Sequence, residues 1–119
     1  MTTSLEVKLQ RELNSGLLSL MLLATLEASE RDLYPYQIAQ TLNELAGGNL
    51  CFKSGSIYPV LRSLAAAGLL SSRIVPSYSG PPRHYYQITE HGREILQRWT
   101  ATWRSTRDFA DRLVDAAAR

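Results

Sequence analysis

Apolar positions divide the chain into blocks of different periodicity. Leu9, Leu13, Leu17, Leu20 and Leu23 (or Ala24) recur at intervals of 3 or 4, which predicts a first long helix over about residues 5–28. The run "LLSLMLLATL" at 17–26 is apolar almost all round, so that half of the helix is expected to be buried on more than one side. "ASERDLYP" interrupts the pattern, and Pro35 suits the first turn of a second helix whose stripe is Ile38, Leu42 and Leu45. "AGGN" at 46–49 closes it with glycines. A third helix is expected in "KSGSIYPVLRSLAAAGLL", capped by Ser54 or Ser56, with Pro59 close to its first turn. Its Ile57, Leu61 and Leu64 point inward, Tyr58 and Arg62 share another face near Ser63, and Gly68 stops it. The period then changes to 2. "LLSSRIV" and "HYYQIT" read as strands joined by "PSYSGPPR", and Thr89 caps a final helix through about residue 117.

Three helices, a hairpin and a long helix make a mainly helical α+β fold, a winged helix-turn-helix with a long C-terminal helix. The tip "SGPPR" is stiff on this reading, because Pro81 and Pro82 restrict the backbone while Gly80 permits a tight turn. At 119 residues with 45% apolar content the chain is one domain in size with one modest core. Charged residues make up 20%, which argues against disorder.

The net charge of +2 is too small to mark a nucleic-acid binder, but its distribution is informative. No acidic residue lies between Glu44 and Glu90, whereas Lys53, Arg62, Arg73 and Arg83 all do. A purely cationic segment on a nearly balanced protein suits a phosphate-facing surface. A chance gap in a solvated surface gives the same pattern. The single cysteine, Cys51, excludes an internal disulfide and fits a reducing compartment. Lys8 and Arg11 before the apolar run imitate a signal peptide, but Glu6 and Glu12 spoil the basic region. The run also falls short of the ~18 apolar residues of a membrane span. A core helix of a cytoplasmic protein, with no membrane partner, is the reading.

Leu96, Trp99, Trp103, Thr106, Ala110, Leu113 and Ala117 are spaced 3, 4, 3, 4, 3 and 4 apart, a heptad seam. It either lies back on the chain's own core or pairs with a second copy through the first and last helices. Pairing would also cover the surplus apolar surface of the first helix and supply two-fold geometry for two recognition helices. Trp99 and Trp103 have two readings as well: plain packing, or the walls of an aromatic pore for a planar apolar molecule. Asp108 and Glu94 flank the seam without lying on it.

Two motifs, "SGSIYPVLRSLAAAGLL" and "GPPRHYYQITEHGREIL", carry a resemblance to a known family. With the first two helices they cover roughly residues 12–115, and the sequence resembles the PadR family of bacterial transcriptional regulators. The family pattern combines a Ser/Pro-Gly-Ser/Thr-Leu/Ile-Tyr-Pro recognition helix with a wing ending in Arg-x-Tyr-Tyr-x-Leu-Thr-x-x-Gly. One departure is Tyr34-Pro35, where the family usually has a His-Gly or similar pair; proline is physically acceptable there. The single C-terminal helix is similar to a short subfamily that includes regulators of multidrug efflux. The resemblance implies dimers whose last helices pack together, some holding flat aromatic ligands, and half-sites of the ATGT…ACAT kind. Counted from Thr-x-x-Gly, Trp103 falls where those relatives carry a stacking tryptophan.

The expectation is therefore a DNA-binding winged helix-turn-helix domain over 1–89 and a dimerisation helix over 90–119. Lys53, Ser54, Ser56, Tyr58 and Arg62 are the candidate contacts in the major groove, with Tyr78 and Arg83 on the wing. Tyr58 has a second reading, half-buried against the wing. Tyr85 and Tyr86 alternate across their strand, so one of them is core. Leu96, Trp99, Trp103, Ala110 and Leu113 are the candidate dimer or ligand surface. The partners expected are double-stranded DNA, a second copy and a planar aromatic effector. No cofactor or metal is expected, since His84, His91 and Cys51 match no ligand spacing. Catalysis has no support: there is no nucleophile–base pair, phosphate loop or paired acids on one face. The reading is a ligand-responsive repressor on a pseudo-palindromic operator; the alternative is a winged helix interaction or architectural module without operator specificity.

Overall fold

The computed structural model describes residues 3–47 and 52–118. The elements follow in the order expected: α1 (Ser4–Ser29), α2 (Pro35–Leu45), α3 (Ser54–Ala66), β1 (Leu70–Val75), β2 (Arg83–Ile88) and α4 (Glu90–Ala117). Gly48, Asn49 and Cys51 lie outside the described residues, and so do the turn and compartment readings placed on them. Among the described residues no helix is long and apolar enough to cross a membrane.

The core gathers where the apolar blocks converge. Leu22, Leu23 and Leu26 of α1 meet Ile38, Ala39 and Leu42 of α2, Ile57, Leu61 and Leu64 of α3, and Tyr86 and Ile88 of β2. The all-round apolar half of α1 is thus buried on several sides, while Leu5, Leu9 and Leu13 at its other end stay exposed. Leu45 departs from the expected stripe of α2. It is 80% exposed, because the packed face ends at Leu42 and nothing among the described residues covers the last turn.

The start of α3 also differs from expectation. Lys53, not a serine, is the N-cap residue, and its side chain makes no capping bond. Its carbonyl accepts from the Ser56 and Ile57 N–H groups, so the helix begins at Ser54 and both serines lie inside it. Pro59 consequently falls in the second turn. Without an N–H it cannot donate to the Gly55 carbonyl, and Gly55 is exposed, so water can take that acceptor. Phe52, just before α3, is clamped by Asn43, whose amide accepts from the Phe52 N–H (2.7 Å) and donates to its carbonyl (2.8 Å).

The hairpin is antiparallel, with Leu70 opposite Ile88 and Arg73 opposite Tyr85. Leu33, before α2, adds a third edge by exchanging both backbone hydrogen bonds with Tyr86 (3.0 and 2.8 Å). Pleating sends Tyr86 and Ile88 into the core and Arg73, Arg83 and Tyr85 to the other face.

The base of the hairpin is locked to α4. The Thr89 hydroxyl accepts from the Gly92 N–H (3.0 Å) and donates to the Gly68 carbonyl (2.7 Å), while the Thr89 N–H donates to the Leu69 carbonyl (3.1 Å). Gly68 is left-handed, with φ at 81°, as a helix stop requires. A Cβ on Gly92 would lie 2.1 Å from the Leu69 carbonyl oxygen and 2.8 Å from Ile88 Cγ1. Backbone cannot give way there. Gly92→Ala is therefore expected to destabilise the fold by about 3 kcal/mol or more in denaturant unfolding. Gly55→Ala, facing open space in α3, should raise stability by roughly 0.5–1 kcal/mol in the same measurement.

Candidate nucleic-acid interface

The segment without acids folds into α3 and the wing, and one tyrosine joins their surfaces. Tyr58 is half-buried and meets His84 edge-on at 5.7 Å and Tyr86 at 6.5 Å between ring centroids. It thus packs against the wing while part of its surface stays exposed. The contact makes the exposed face of α3 continuous with β2. Tyr86 is the tyrosine of the pair that enters the core, and its hydroxyl is pushed up to about 12, first by burial and then by the neighbouring Tyr58. Tyr58 also carries Arg62, whose guanidinium lies 5.8 Å from the ring centroid.

Four cations share the segment, but they are not equivalent. Arg73 Nε lies 2.6 Å from Asp32 Oδ2, and this pairing raises the Arg73 pKa above its ordinary value. The acid comes from the α1–α2 connection, so a region empty of acids in sequence is not empty in space. Lys53, Arg62 and Arg83 are exposed and make no ion pair among the described residues. Ser54 is half-buried and Ser56 exposed at the start of α3, where the Ser54 and Gly55 N–H groups have no intrahelical partner. Tyr78 stands fully exposed at the wing tip.

The outward face of the wing holds a row of aromatic and guanidinium groups in contact. Tyr34, beside the Leu33 edge, meets Tyr85 at 5.3 Å with the rings at 74°. The Arg73 guanidinium lies 5.1 Å from the Tyr85 centroid, and that of Arg83 lies 4.6 Å from Tyr34. Tyr34 and Asp32 were not singled out from the sequence for any contact, since their partners lie far along the chain. The available signal was the unusual Tyr34-Pro35 pair.

A second concavity lies away from this surface, between α1 and α4. It is an open groove of about 540 Å³, lined by Leu13, Gly16, Leu17 and Leu20 of α1 and by Trp99, Trp103 and Thr106 of α4. Glu12 of α1 adds a carboxylate to the wall. The heptad seam divides here. Leu96 and Trp99 pack against the chain's own core, Trp103 is half-buried, and Ala110, Leu113 and Ala117 are exposed. Glu27 of α1 and Arg93 of α4 pair at 3.0 Å across the other end of the contact.

The family model "Transcriptional regulator PadR-like family" matches residues 22–98. A PadR family transcriptional regulator from Eggerthella lenta is 28% identical, covering 91% of this chain and 90% of its own, with a TM-score of 0.76. A PadR-like transcriptional regulator from Bacillus cereus is 27% identical over 87% of this chain and 96% of its own, with a TM-score of 0.68. Bacillus subtilis PadR, solved in complex with operator DNA, is 25% identical; the match spans 71% of this chain but 46% of that longer one, at a TM-score of 0.61.

Proposed function

The chain belongs to the PadR-like family of transcriptional regulators, and on that premise we propose that it represses transcription as a homodimer on a pseudo-palindromic operator. The observation that carries the DNA contact is the joining of α3 to the wing through Tyr58 and His84, with Lys53, Arg62 and Arg83 exposed and outside any ion pair among the described residues. The α3 face, with Ser54, Ser56, Tyr58 and Arg62, enters the major groove; Tyr78 and Arg83 reach the backbone or the minor groove beside it. The operator complex of the Bacillus subtilis relative supports this reading.

Dimerisation through residues 90–119 has two physical supports. The radius of gyration is 16.4 Å, against about 13.5 Å for a compact 119-residue domain. In addition, Phe109, Leu113 and Val114 of α4 and Leu5, Leu9 and Leu13 of α1 are exposed, leaving an apolar surface that a second copy would cover. The groove bounded by Trp99 and Trp103 takes a planar aromatic effector, held by dispersion and stacking on the indoles. Occupation of the groove changes the angle between the paired helices and with it the spacing of the two α3 helices.

Lys53→Ala and Arg62→Ala should each weaken binding to specific and scrambled duplex alike and lower the salt slope by about 1. Arg73→Ala, whose charge is already paired with Asp32, should leave the slope nearly unchanged. Equal wild-type affinity for specific and scrambled duplex would instead identify an architectural binder. Leu113→Glu should convert the dimer to monomer in sedimentation, because like charges would meet across the two-fold axis; a monomeric wild type at micromolar concentration overturns the assembly. Planar aromatic compounds should quench the indole fluorescence at micromolar concentration. In Trp103→Ala the residual Trp99 signal should no longer respond, while operator affinity stays within about twofold. If the indoles merely pack, that variant loses dimer and operator binding together.

A further inference from the structure

The row of side chains on the outer face of the wing has a directional consequence. Leu33 is 3% exposed and bonded through both backbone groups to Tyr86, so the strand edge carrying Tyr34 is fixed. The Gln37 side chain also accepts from the Tyr34 backbone N–H (3.1 Å), which fixes the residue from the helix side. The Tyr34 ring is supported by Tyr85, and Tyr85 in turn by Arg73, itself tied to Asp32. At the free end of this row lies the Arg83 guanidinium, exposed and 4.6 Å from the Tyr34 centroid. Arg83 starts the strand that leaves the wing tip.

Stacking engages the flat face of a guanidinium and leaves its N–H donors, which lie in the plane, free for an acceptor. An unsupported arginine loses rotamer freedom when it docks on a phosphate. One already held on a ring loses less, which favours binding. The geometry points to Tyr34 as a positioning residue for operator binding, acting through Arg83 and adding no charge of its own. Asp32, Arg73 and Tyr85 form the base on which Tyr34 is held. This inference rests on the reading that Arg83 touches DNA.

A double-mutant cycle on the full-length chain, read by operator affinity and salt slope, tests it. Tyr34→Leu should weaken operator binding roughly 2–5-fold, the size of an exposed cation–π contact, without changing the salt slope. Tyr34→Phe, which keeps the ring, should bind like the parent. In an Arg83→Ala background, Tyr34→Leu should have no further effect. The thermal midpoint of each variant is measured in parallel; the capping bond uses the Tyr34 backbone and survives these changes. If Arg83→Ala binds with parental affinity and slope, the DNA contact itself fails and the inference with it. If Arg83→Ala weakens binding but Tyr34→Leu is silent, the positioning role alone is overturned. It is equally overturned if Tyr34→Leu costs the same factor with and without Arg83, which would mark a merely structural tyrosine.

Discussion

The close approach of Gly92 to the Leu69 carbonyl is the constraint on which the arrangement of the other parts depends. Three elements meet at that point: the end of α3, the base of the hairpin and the start of α4. Thr89 supplies the polar half of the joint, using one hydroxyl as N-cap acceptor for Gly92 and as donor to the Gly68 carbonyl. The apolar half is Ile88, whose side chain occupies the space a Gly92 Cβ would need. A Thr-x-x-Gly spacing therefore does more than start a helix. It sets the start of α4 against the Gly68–Leu69 connection with no slack, and Ile95, Leu96 and Trp99 continue the packing into the core.

That joint was readable only in part. Thr89 as an N-cap follows from local chemistry, as does Gly68 as a stop, and both helix ends fall where the sequence places them. The element order was legible for the same reason, since periodicity is a property of neighbours. What was not legible involves contacts between distant segments. Arg73 and Asp32 are 41 positions apart, so counting acids within a window could not reveal their pairing. The seam of α4 has a uniform heptad spacing, yet its first turns face the chain's own core and its last turns face solvent. Spacing defines a stripe; it does not say which partner covers each part. Ser54 and Ser56 show the same limit at short range, because Lys53 closes the helix through its backbone carbonyl alone.

The charge pattern changes meaning once placed in space. Arg73 neutralised by Asp32 is part of the scaffold, and the surface left for phosphates is smaller than the cationic window implied. An exposed ion pair contributes little to stability, about 0–1 kcal/mol. Its effect is on geometry, because it anchors one end of the Tyr85–Tyr34 row. On the inner side, Tyr58 performs a comparable service for Arg62 while sealing the wing against α3. All three arginines of the window are thus set on tyrosines, Arg62 on Tyr58, Arg73 on Tyr85 and Arg83 on Tyr34. Only Arg62 and Arg83 are outside an ion pair among the described residues. Lys53 has no such aromatic support among the described residues.

The rigidity of the joint decides how a small event in the α1–α4 groove would be felt at the DNA. Helix α4 has 28 residues and is about 42 Å long. In the proposed dimer its exposed last turns are held by the partner, while its start is locked to the Gly68–Leu69 connection that follows α3. A rotation of about 5° at the paired end displaces a point 40 Å away by roughly 3–4 Å. Two recognition helices must sit about 34 Å apart to enter successive major grooves, and such a displacement is large on the scale of a hydrogen bond. A flexible linker at residue 89 would absorb that motion before it reached α3. The missing Cβ at Gly92 and the two carbonyls bonded by Thr89 leave no room for one. In the proposed dimer, regulation through the groove would require only that an effector prefer one helix angle over another, with this joint carrying the difference to the recognition helices.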